Sequence, residues 1–302
     1  MQIVLIHNSK AGTGRHNKKE LVAALASLGH RVLYQSSKKR GWKKALKKSS
    51  DLVIAAGGDG TVAKVAWRIM DTGVPLSILP LGTANNLARS LGFTARPEEI
   101  LTCLRSGKSR ACDVGVARGP YGKRHFVEAA GGGLLADFVR VDTRKGKKEA
   151  TSDQKMTREV FLLRKISAGY PARQWRVSID GEDISDRYLL WEAMNVRSAG
   201  PALDLAPRAE SNDGRLDFVG VREQERQLFL EHLNARLAGK KNGFALPVRK
   251  FRKLEITSRA ATLHVDGKPW PKKKQDLKRS TMIEITVRPA ALMIWEPVFR
   301  SL

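Results

Sequence analysis

Three glycines and one carboxylate follow directly on an apolar run in the first third of the chain. The run from Asp51 to Ala56 predicts a buried strand, and Gly57, Gly58, Asp59, Gly60 and Thr61 come immediately after it. Glycines let backbone N–H groups approach phosphate oxygens, and the N-terminus of a following helix adds positive potential. Asp59 would repel a bare triphosphate, so this carboxylate suits contact with Mg²⁺ or with a hydroxyl proton. The structural alternative is a tight turn capped by Asp59 or Thr61.

Two further glycine-bearing loops follow other predicted strands. The loop from Pro80 to Asn86 reads PLGTANN, and its Thr83 and Asn85 could donate to phosphate or could cap the next helix. The loop from Asn8 to Gly14 offers hydroxyls, amides and one cation to an anion, and it lacks the spacing of a Walker A loop. Three such loops at one edge of a sheet predict a nucleotide site.

The first hundred residues alternate short apolar runs with segments of helical period, which predicts a parallel sheet flanked by helices. The loops at the carboxyl ends of such strands are where a ligand is expected. The predicted strands are 2–7, 31–34, 51–56 and 75–81, and the helical faces are Leu21, Val22, Leu25 and Leu28, then Val62, Val65, Ala66 and Ile69.

From about residue 115 the pattern changes to strands that follow one another with turns between, as in an antiparallel β-rich sandwich. We therefore predict an α/β nucleotide-binding domain at 1–115 and a β-rich domain at 116–288, with 289–302 packing back on the first. The predicted strands are 124–130, 174–180, 188–196, 215–221, 263–266 and 282–288, with helices near 155–168 and 223–236. Phe138, Phe161, Leu162 and Trp191 read either as pocket lining or as core.

The chain is strongly basic, with a formal charge of +25 from 55 Lys and Arg against 30 Asp and Glu over 302 residues. Such a surface attracts polyanions, and it reads either as solvated surface or as contact with anionic lipid headgroups. No DNA-reading motif or aromatic RNA-binding signature occurs, which disfavours nucleic acid. The basic clusters are Lys38, Lys39, Arg40, Lys43, Lys44, Lys47 and Lys48 around Trp42, then Arg144, Lys145, Lys147 and Lys148, and finally Lys272 to Lys274.

The two cysteines, Cys103 and Cys112, predict free thiols in a reducing compartment rather than a disulfide or zinc site. The apolar run at the N-terminus is too short for a signal sequence, and no stretch approaches the length of a membrane span. We expect a cytoplasmic protein with peripheral contact at the inner membrane face. The oligomeric state is left open, with a homodimer among the alternatives.

Several of these segments resemble the diacylglycerol kinase catalytic family, which includes bacterial lipid kinases and sphingosine kinases. The resemblance rests on GGDGT at 57–61, PLGTANN at 80–86 and the N-terminal HNSKAG, and it continues in APRAESNDGRLD at 206–217 and LHVDGKPW at 263–270. It implies an ATP- and Mg²⁺-dependent kinase that transfers the γ-phosphate to a diacylglycerol-like or sphingoid hydroxyl. It also implies that ATP binds in the cleft between the two domains and that the β-rich domain at 116–288 is the lipid-substrate domain. The candidate lipid-contacting residues there are Phe138, Phe161, Leu162 and Trp191.

The resemblance assigns roles to particular residues. Asp59 would organise Mg²⁺ and water around the γ-phosphate, Asp213 matches a structural magnesium ligand or is a plain β-turn aspartate, and Asp266 lies beside the catalytic position 268. Nucleotide contacts fall on Asn8, Ser9, Lys10, Ala11, Gly12, Ser37, Gly57, Gly58, Asp59, Gly60, Thr61, Val62, Ala63, Gly82, Thr83 and Asn85.

The chain departs from the family pattern at three positions. Ser9 replaces a proline that shapes the turn, and Asn86 replaces an aspartate of the metal and water network. Lys268 follows Asp266 where members have a glutamate, the expected proton acceptor for the substrate hydroxyl. A lysine that is cationic at pH 7 does not accept that proton unless burial lowers its pKa far below about 10.4. Asp266 or Asp59 could substitute, and the alternative is a catalytically weak nucleotide- or lipid-binding protein.

Overall fold

The structure is a computed structural model that describes residues 1–12, 16–141, 151–240, 246–259, 261–273 and 281–298. Its contacts divide the chain into two compact units. Unit 1 comprises Met1–Cys112 and Ala290–Leu302, and unit 2 comprises Asp113–Pro289. Among the described residues, no helix is both long and apolar enough to cross a membrane.

The elements of the first 107 residues alternate between strand and helix. They are β1 Gln2–His7, α1 Lys18–Ser27, β2 Arg31–Ser36, β3 Leu52–Gly57, α2 Asp59–Ile69, β4 Leu76–Pro80, α3 Asn86–Ser90 and α4 Pro97–Thr102, with short 3-10 turns at Trp42–Lys47 and Cys103–Ser106.

The remaining elements are mostly strands. They are β5 Lys108–Gly119, β6 Gly122–Phe126, β7 Ala129–Gly133, α5 Leu134–Phe138, α6 Ser152–Gly169, β8 Arg173–Ile179, β9 Glu182–Asp183, β10 Asp186–Met194, β11 Ser198–Ala199, β12 Leu203–Asp204, β13 Leu216–Arg222, a 3-10 turn Glu223–Glu225, α7 Arg226–Leu237, β14 Val248–Phe251, β15 Lys253–Ser258, β16 Leu263–Val265, β17 Lys268–Trp270 and β18 Thr281–Glu296.

Unit 1 is built on a parallel sheet in the order β2, β1, β3, β4. All six residues of β3 are buried, as expected of a strand with neighbours on both sides and helices on its faces. In α2 the predicted apolar face Val62, Val65, Ala66 and Ile69 is buried against this sheet. At the far end of the chain Ile294 of β18 pairs in parallel with Leu76 of β4. The predicted α/β architecture is confirmed.

Unit 2 is an antiparallel β-rich unit whose strands run in the order β17, β16, β7, β10, β8, β15, β18, with β13 paired to β10 and β14. Side chains alternate between two cores. In β10, Trp191 and Ala193 enter one core, whereas Leu190 and Met194 enter the other, where α6 and α7 pack. Because successive side chains of a strand point to opposite faces, each polar residue of β10 lies on a defined face of the sheet.

One segment predicted as a single strand forms two strands in the structure. The run 124–130 is divided into β6 and β7, and Val127 and Glu128 lie between them. Their backbone N–H groups donate to the carboxylate of Asp266 instead of joining a strand ladder. A long-range side-chain acceptor therefore interrupts a segment whose local composition is typical of one strand.

Candidate functional site

The predicted nucleotide loops of unit 1 lie at one edge of its sheet. Because β1 to β4 are parallel, their carboxyl ends meet there. Backbone hydrogen bonds hold the loops together: Ser37 donates to His7 at 2.8 Å, Asn8 to Ala56 at 2.9 Å and Leu81 to Gly57 at 3.1 Å. The structure thus brings Asn8, Ser37, Gly57 and the loop after Pro80 into one region.

Glycine is required where these loops approach one another. A Cβ on Gly82 would lie 2.4 Å from the Cα of Gly58, and a Cβ on Gly12 would lie 2.4 Å from the carbonyl oxygen of Leu81. A Cβ on Gly57 would lie 2.7 Å from Thr61. The loops that carry Gly12 and Gly58 thus each approach the loop after β4 backbone to backbone, at positions where a side chain would not fit.

The helix α2 begins directly at this edge. Gly58 precedes it in an extended conformation, and no side chain caps its first turn. Thr61 is buried and its hydroxyl accepts from the side-chain amide of Asn8 at 3.4 Å. Val62 and Ala63 are buried as well, so any contact of theirs with a ligand is through the backbone. The predicted alternative of a side-chain cap by Asp59 or Thr61 is wrong.

Asp59 joins two of the loops. Its half-buried carboxylate accepts the backbone N–H of Leu87 at 2.9 Å, at the first turn of α3. Burial raises the pKa of Asp59, while the N–H groups of Leu87 and Asn86 and the charge of Arg89 act in the opposite direction. The carboxylate is therefore held in one orientation at the sheet edge.

Asn85 shapes its own loop. It adopts a left-handed conformation with φ 51°, its side-chain oxygen accepts from the N–H of Gly82 at 2.9 Å, and its amide donates back to the carbonyl of Gly82 at 3.1 Å. Thr83 is half-buried at the tip of this loop, and Ser9 and Lys10 are exposed in the first loop. The side chains of Thr83, Ser9 and Lys10 are thus accessible to a ligand.

In unit 2 the turn that carries Asp213 depends on Asp113, a buried residue outside all of the sequence motifs. The carboxylate of Asp113 accepts from the N–H of Gly214 at 2.7 Å, and its own N–H donates to Ser211 at 2.6 Å. Asn195 braces the same strand by donating to the carbonyl of Asp113 at 2.9 Å. The sequence signal for this role is a charged residue inside an otherwise apolar strand, ACDVGVA.

The surroundings of Asp213 do not fit a divalent cation as they are arranged. The ammonium group of Lys250 contacts one carboxylate oxygen of Asp213, and the N–H of Arg215 donates to the other at 3.0 Å. Magnesium needs near-octahedral oxygen ligands, and the described residues contain no cluster of three or more His, Cys, Asp or Glu able to hold a metal. The assignment of Asp213 as a magnesium ligand stays a prediction that Lys250 opposes.

Asp266 and Lys268 lie on the hairpin between β16 and β17. Asp266 and Gly267 have φ values of 44° and 61°, the backbone of a two-residue Asp-Gly hairpin turn. The buried carboxylate of Asp266 accepts from the N–H groups of Val127, Glu128 and Ala129, and burial raises its pKa to about 6. This carboxylate is occupied in holding the turn, whereas Lys268 is half-buried beside it.

The four residues predicted as either lipid pocket or core differ in their burial and surroundings. Trp191 is core, Leu162 packs against the core and Phe161 is 59% exposed. Phe138 lines a small pocket of unit 2. The basic cluster around Trp42 is exposed at all seven of its Lys and Arg residues, as are Lys272 and Lys273, while 144–148 and Lys274 lie outside the described residues.

Known families match both parts of the chain. Residues 2–117 match the diacylglycerol kinase catalytic domain, and residues 141–296, more than half of the chain, match the YegS C-terminal NAD kinase beta sandwich-like domain. The chain belongs to the diacylglycerol kinase family. The resemblance seen in the sequence motifs is thereby confirmed, and so is the predicted pairing of an α/β domain with a β-rich one.

Individual members of this lipid kinase family are similar to this chain over most of its length. A diacylglycerol kinase of Bacillus subtilis is 28% identical over 74% of this chain and 73% of its own. A protein of Pectobacterium atrosepticum named as a probable YegS-like lipid kinase is 29% identical over 96% of this chain and 94% of its own. The crystal structure of a diacylglycerol kinase from Bacillus anthracis shares the fold, with a TM-score of 0.69, 18% identity and coverage of 98% and 96%.

Proposed function

We propose that this chain is an ATP- and Mg²⁺-dependent lipid kinase that transfers the γ-phosphate to the hydroxyl of a diacylglycerol-like or sphingoid lipid. Membership of the diacylglycerol kinase family supports phosphate transfer to a lipid. The observation that carries the nucleotide part is the contact of Gly58 with Gly82, with Asp59 oriented beside it. Peptide groups packed this closely form a surface to which phosphate oxygens can come near.

The residues of the sheet edge would bind and position the nucleotide. Backbone groups of Gly57, Gly58 and Gly60 and the side chains of Asn8 and Thr83 would hold phosphate oxygens, and Ser37 would contact the nucleotide further along the edge. The Mg²⁺ of the Mg-ATP substrate would neutralise charge that develops on the transferred group. Asp59, fixed by Leu87, would receive that ion or a water on it. Positioning and electrostatic stabilisation supply most of the rate in such transfers.

A lipid substrate also fits the charge of the chain. The exposed basic cluster around Trp42 would favour an anionic membrane surface, because each basic residue near such a surface contributes about 1 kcal/mol. Binding to vesicles of phosphatidylserine and phosphatidylcholine, measured by sedimentation, should weaken as salt is raised. Equal binding to vesicles of phosphatidylcholine alone would contradict this surface role.

The proposed function is tested by incubating the purified chain with Mg-ATP and a lipid panel in mixed micelles. The panel holds diacylglycerol, monoacylglycerol, sphingosine and ceramide, and phosphorylated products are detected by mass spectrometry. Formation of a lipid phosphate with at least one acceptor is expected. ATP binding by calorimetry with no product from any acceptor would instead support a nucleotide-binding member that does not catalyse, and the Lys268→Glu variant would show whether a missing glutamate is the cause.

A further inference from the structure

The turn that leads into β13 contains an ion pair. It spans residues 211–215, and Asp213 lies at its centre. The ammonium group of Lys250 contacts one carboxylate oxygen of Asp213, and the backbone N–H of Arg215 donates to the other at 3.0 Å. Both oxygens of this carboxylate are therefore engaged by groups of unit 2 itself.

The strand register brings Lys250 to this turn. β13 and β14 are antiparallel, with Leu216 opposite Phe251 and Asp217 opposite Lys250. Leu216 and Phe251 both enter an apolar core, so a slip by one residue would move them out of it. Opposite residues of an antiparallel pair share a face, so Lys250 lies beside Asp217 on the other face of β14. From there its side chain reaches Asp213.

The ammonium group of Lys250 lies in a negative field. The hydrogen bond of Asp213 is the main cause that raises the pKa of Lys250, partial burial acts against it, and the charges of Asp213, Asp217 and Glu210 add to the rise. The carboxyl group of Asp217 belongs to a residue that is only 3% exposed. Lys250 is therefore cationic at neutral pH, and it supplies positive charge where the charges of three carboxylates act.

The backbone of the turn depends on a second carboxylate. Gly214 has a φ of 70°, and its N–H donates to the carboxylate of Asp113 at 2.7 Å. The N–H of Asp113 in turn donates to the carbonyl of Ser211 at 2.6 Å. The turn is thus held by two carboxylates, Asp113 through backbone N–H groups and Asp213 through Lys250.

The family resemblance puts a magnesium ion at Asp213, and the contacts within the chain take the place of its ligation. Magnesium needs an octahedral set of oxygen ligands, whereas both oxygens of Asp213 and the carbonyl oxygen of Ser211 already accept hydrogen bonds. An ammonium group needs no such set, because it donates hydrogen bonds from a single charged nitrogen. Its presence also does not depend on the concentration of free ions, as the occupancy of a metal site does.

We propose that the ammonium group of Lys250 is the structural cation of this turn and replaces a divalent metal ion there. It neutralises Asp213, fixes the carboxylate that receives the N–H of Arg215, and keeps the turn ordered without metal. This inference goes beyond the proposed function, because it concerns the folding of unit 2 and holds whether or not the chain phosphorylates a lipid.

An ordinary surface ion pair is the alternative, and such pairs contribute little to stability. The side chains of Lys250 and Asp213 are 36% and 20% exposed, respectively, so salt screens this pair less than a fully exposed one. The two cases differ in what restores the turn after the lysine is removed. A metal ion would restore a turn that needs a cation, and it would leave unchanged a turn that needs none.

Hydrogen–deuterium exchange of the full chain tests the proposal. Peptides that contain Gly214 and Arg215 are followed by mass spectrometry, first in EDTA and then with excess Mn²⁺, because the N–H of Arg215 donates to Asp213 itself. In the wild type, exchange of these peptides should be the same in both conditions. In Lys250→Met with EDTA it should be at least about fivefold faster, and Mn²⁺ should restore most of the protection.

Two further variants show where the effect arises. In the double variant Lys250→Met, Asp213→Asn, Mn²⁺ should restore nothing, because the carboxylate that would bind it is absent. Lys253→Met, at an exposed lysine of β15 that pairs with Glu255, is the matched control for the loss of one positive charge from unit 2. Its exchange at the Gly214 and Arg215 peptides should equal that of the wild type.

Three results would overturn the proposal. Faster exchange of the wild-type turn in EDTA, reversed by Mn²⁺ or Mg²⁺, would show that a divalent ion holds the turn. Equal exchange in Lys250→Met and the wild type would show that the lysine does not hold it. Fast exchange in Lys250→Met that Mn²⁺ does not slow would show an ordinary ion pair. If Lys250→Met does not fold, the response of the wild type to EDTA decides between lysine and metal.

Discussion

The carboxylate of Asp59 accepts the backbone N–H of Leu87 at 2.9 Å, and this bond ties the loop after β3 to the loop after β4. Two segments that are 28 residues apart in sequence therefore meet at one carboxylate. Asp59 is held where the glycine loops converge, so its charge and its hydrogen bond can be separated by mutation.

Replacing Asp59 by Asn should keep the acceptor for Leu87 and remove the negative charge. We expect kcat for lipid phosphorylation to fall at least 100-fold, because the residue would no longer receive the cation of Mg-ATP. The affinity for ATP should change less than tenfold. Both quantities can be measured by steady-state kinetics and calorimetry.

The matched control for this change lies at the other end of β3. Asp51 precedes β3 at the opposite edge of the sheet, where its carboxylate accepts the N–H of Gln2 at 2.7 Å. Asp51→Asn should leave kcat within about twofold, since surface changes of this kind alter stability by about 0.5 kcal/mol or less. An equal loss of kcat in both variants would mean that Asp59 acts only through folding.

Gly82→Ala should impair nucleotide binding. Its Cβ would overlap the Cα of Gly58, a backbone atom that cannot swing away as the end of a flexible side chain could. We expect at least a tenfold weaker affinity for ATP by calorimetry, because the two loops must separate. Gly169→Ala, where a new Cβ meets nothing within 4 Å, is the matched control and should bind ATP as the wild type does. Unchanged affinity in Gly82→Ala would remove these glycines from the nucleotide site.

Lys250→Met should increase the affinity of Asp213 for a divalent cation. The ammonium of Lys250 contacts the carboxylate and repels a second cation, so its removal should strengthen Mn²⁺ binding at least about tenfold, as followed by electron paramagnetic resonance. The gain should vanish in the Lys250→Met, Asp213→Asn double variant. Lys253→Met, at an exposed lysine paired with Glu255, serves as control. Identical Mn²⁺ affinity in wild type and Lys250→Met would show that Lys250 does not oppose a metal there.

Asp217 should make stability depend on pH. Burial raises its pKa to about 6, with Lys250 acting against the shift and Asp213 and Glu210 adding to it. A carboxyl group whose folded pKa is raised binds more protons when folded, so stability present at pH 4 is lost as the pH rises through 6. Asp217→Asn should therefore gain about 2 kcal/mol in unfolding free energy, relative to wild type, between pH 4 and pH 8.

Chemical denaturation at the two pH values measures this difference. Asp153→Asn, at an exposed carboxylate in the first turn of α6, controls for loss of a surface charge. A relative stability of Asp217→Asn that is the same at pH 4 and pH 8 would contradict a raised pKa.

Much of unit 1 could be predicted from the sequence because its signals are local. The run Val53 to Ala56 is apolar throughout and predicts a central parallel strand, and the spacing of Val62, Val65 and Ile69 predicts the face of α2. The glycines after the first, third and fourth strands predict loops whose backbone groups can approach a phosphate. The close approach of one loop to another, such as Gly82 to Gly58, depends on the order of strands in the sheet and could not be predicted from spacing.

In unit 2 the contacts of the buried polar residues depend on strand register. Gly131 looks like one of three weak strand residues in AAGGG, and the space that it leaves for the carboxylate of Glu192 becomes visible only where Glu192 and His264 lie on either side of it. Asp113 likewise is an isolated charge in the sequence, and only the folded structure shows that the turn at Gly214 lies beside it. The type of Asn85 predicts a ligand contact, but it does not predict the left-handed backbone or the hydrogen bond of the side chain to Gly82.

The most direct measurement of the central claim follows the γ-phosphate itself. The purified chain is incubated with γ-labelled ATP, Mg²⁺ and each acceptor of the lipid panel in turn, and label in the lipid is counted for wild type, Asp59→Asn and Asp51→Asn. The account predicts labelled lipid phosphate from the wild type and Asp51→Asn, and at least 100-fold less from Asp59→Asn. Equal labelling by wild type and Asp59→Asn, or no labelled lipid from the wild type with any acceptor, would contradict it.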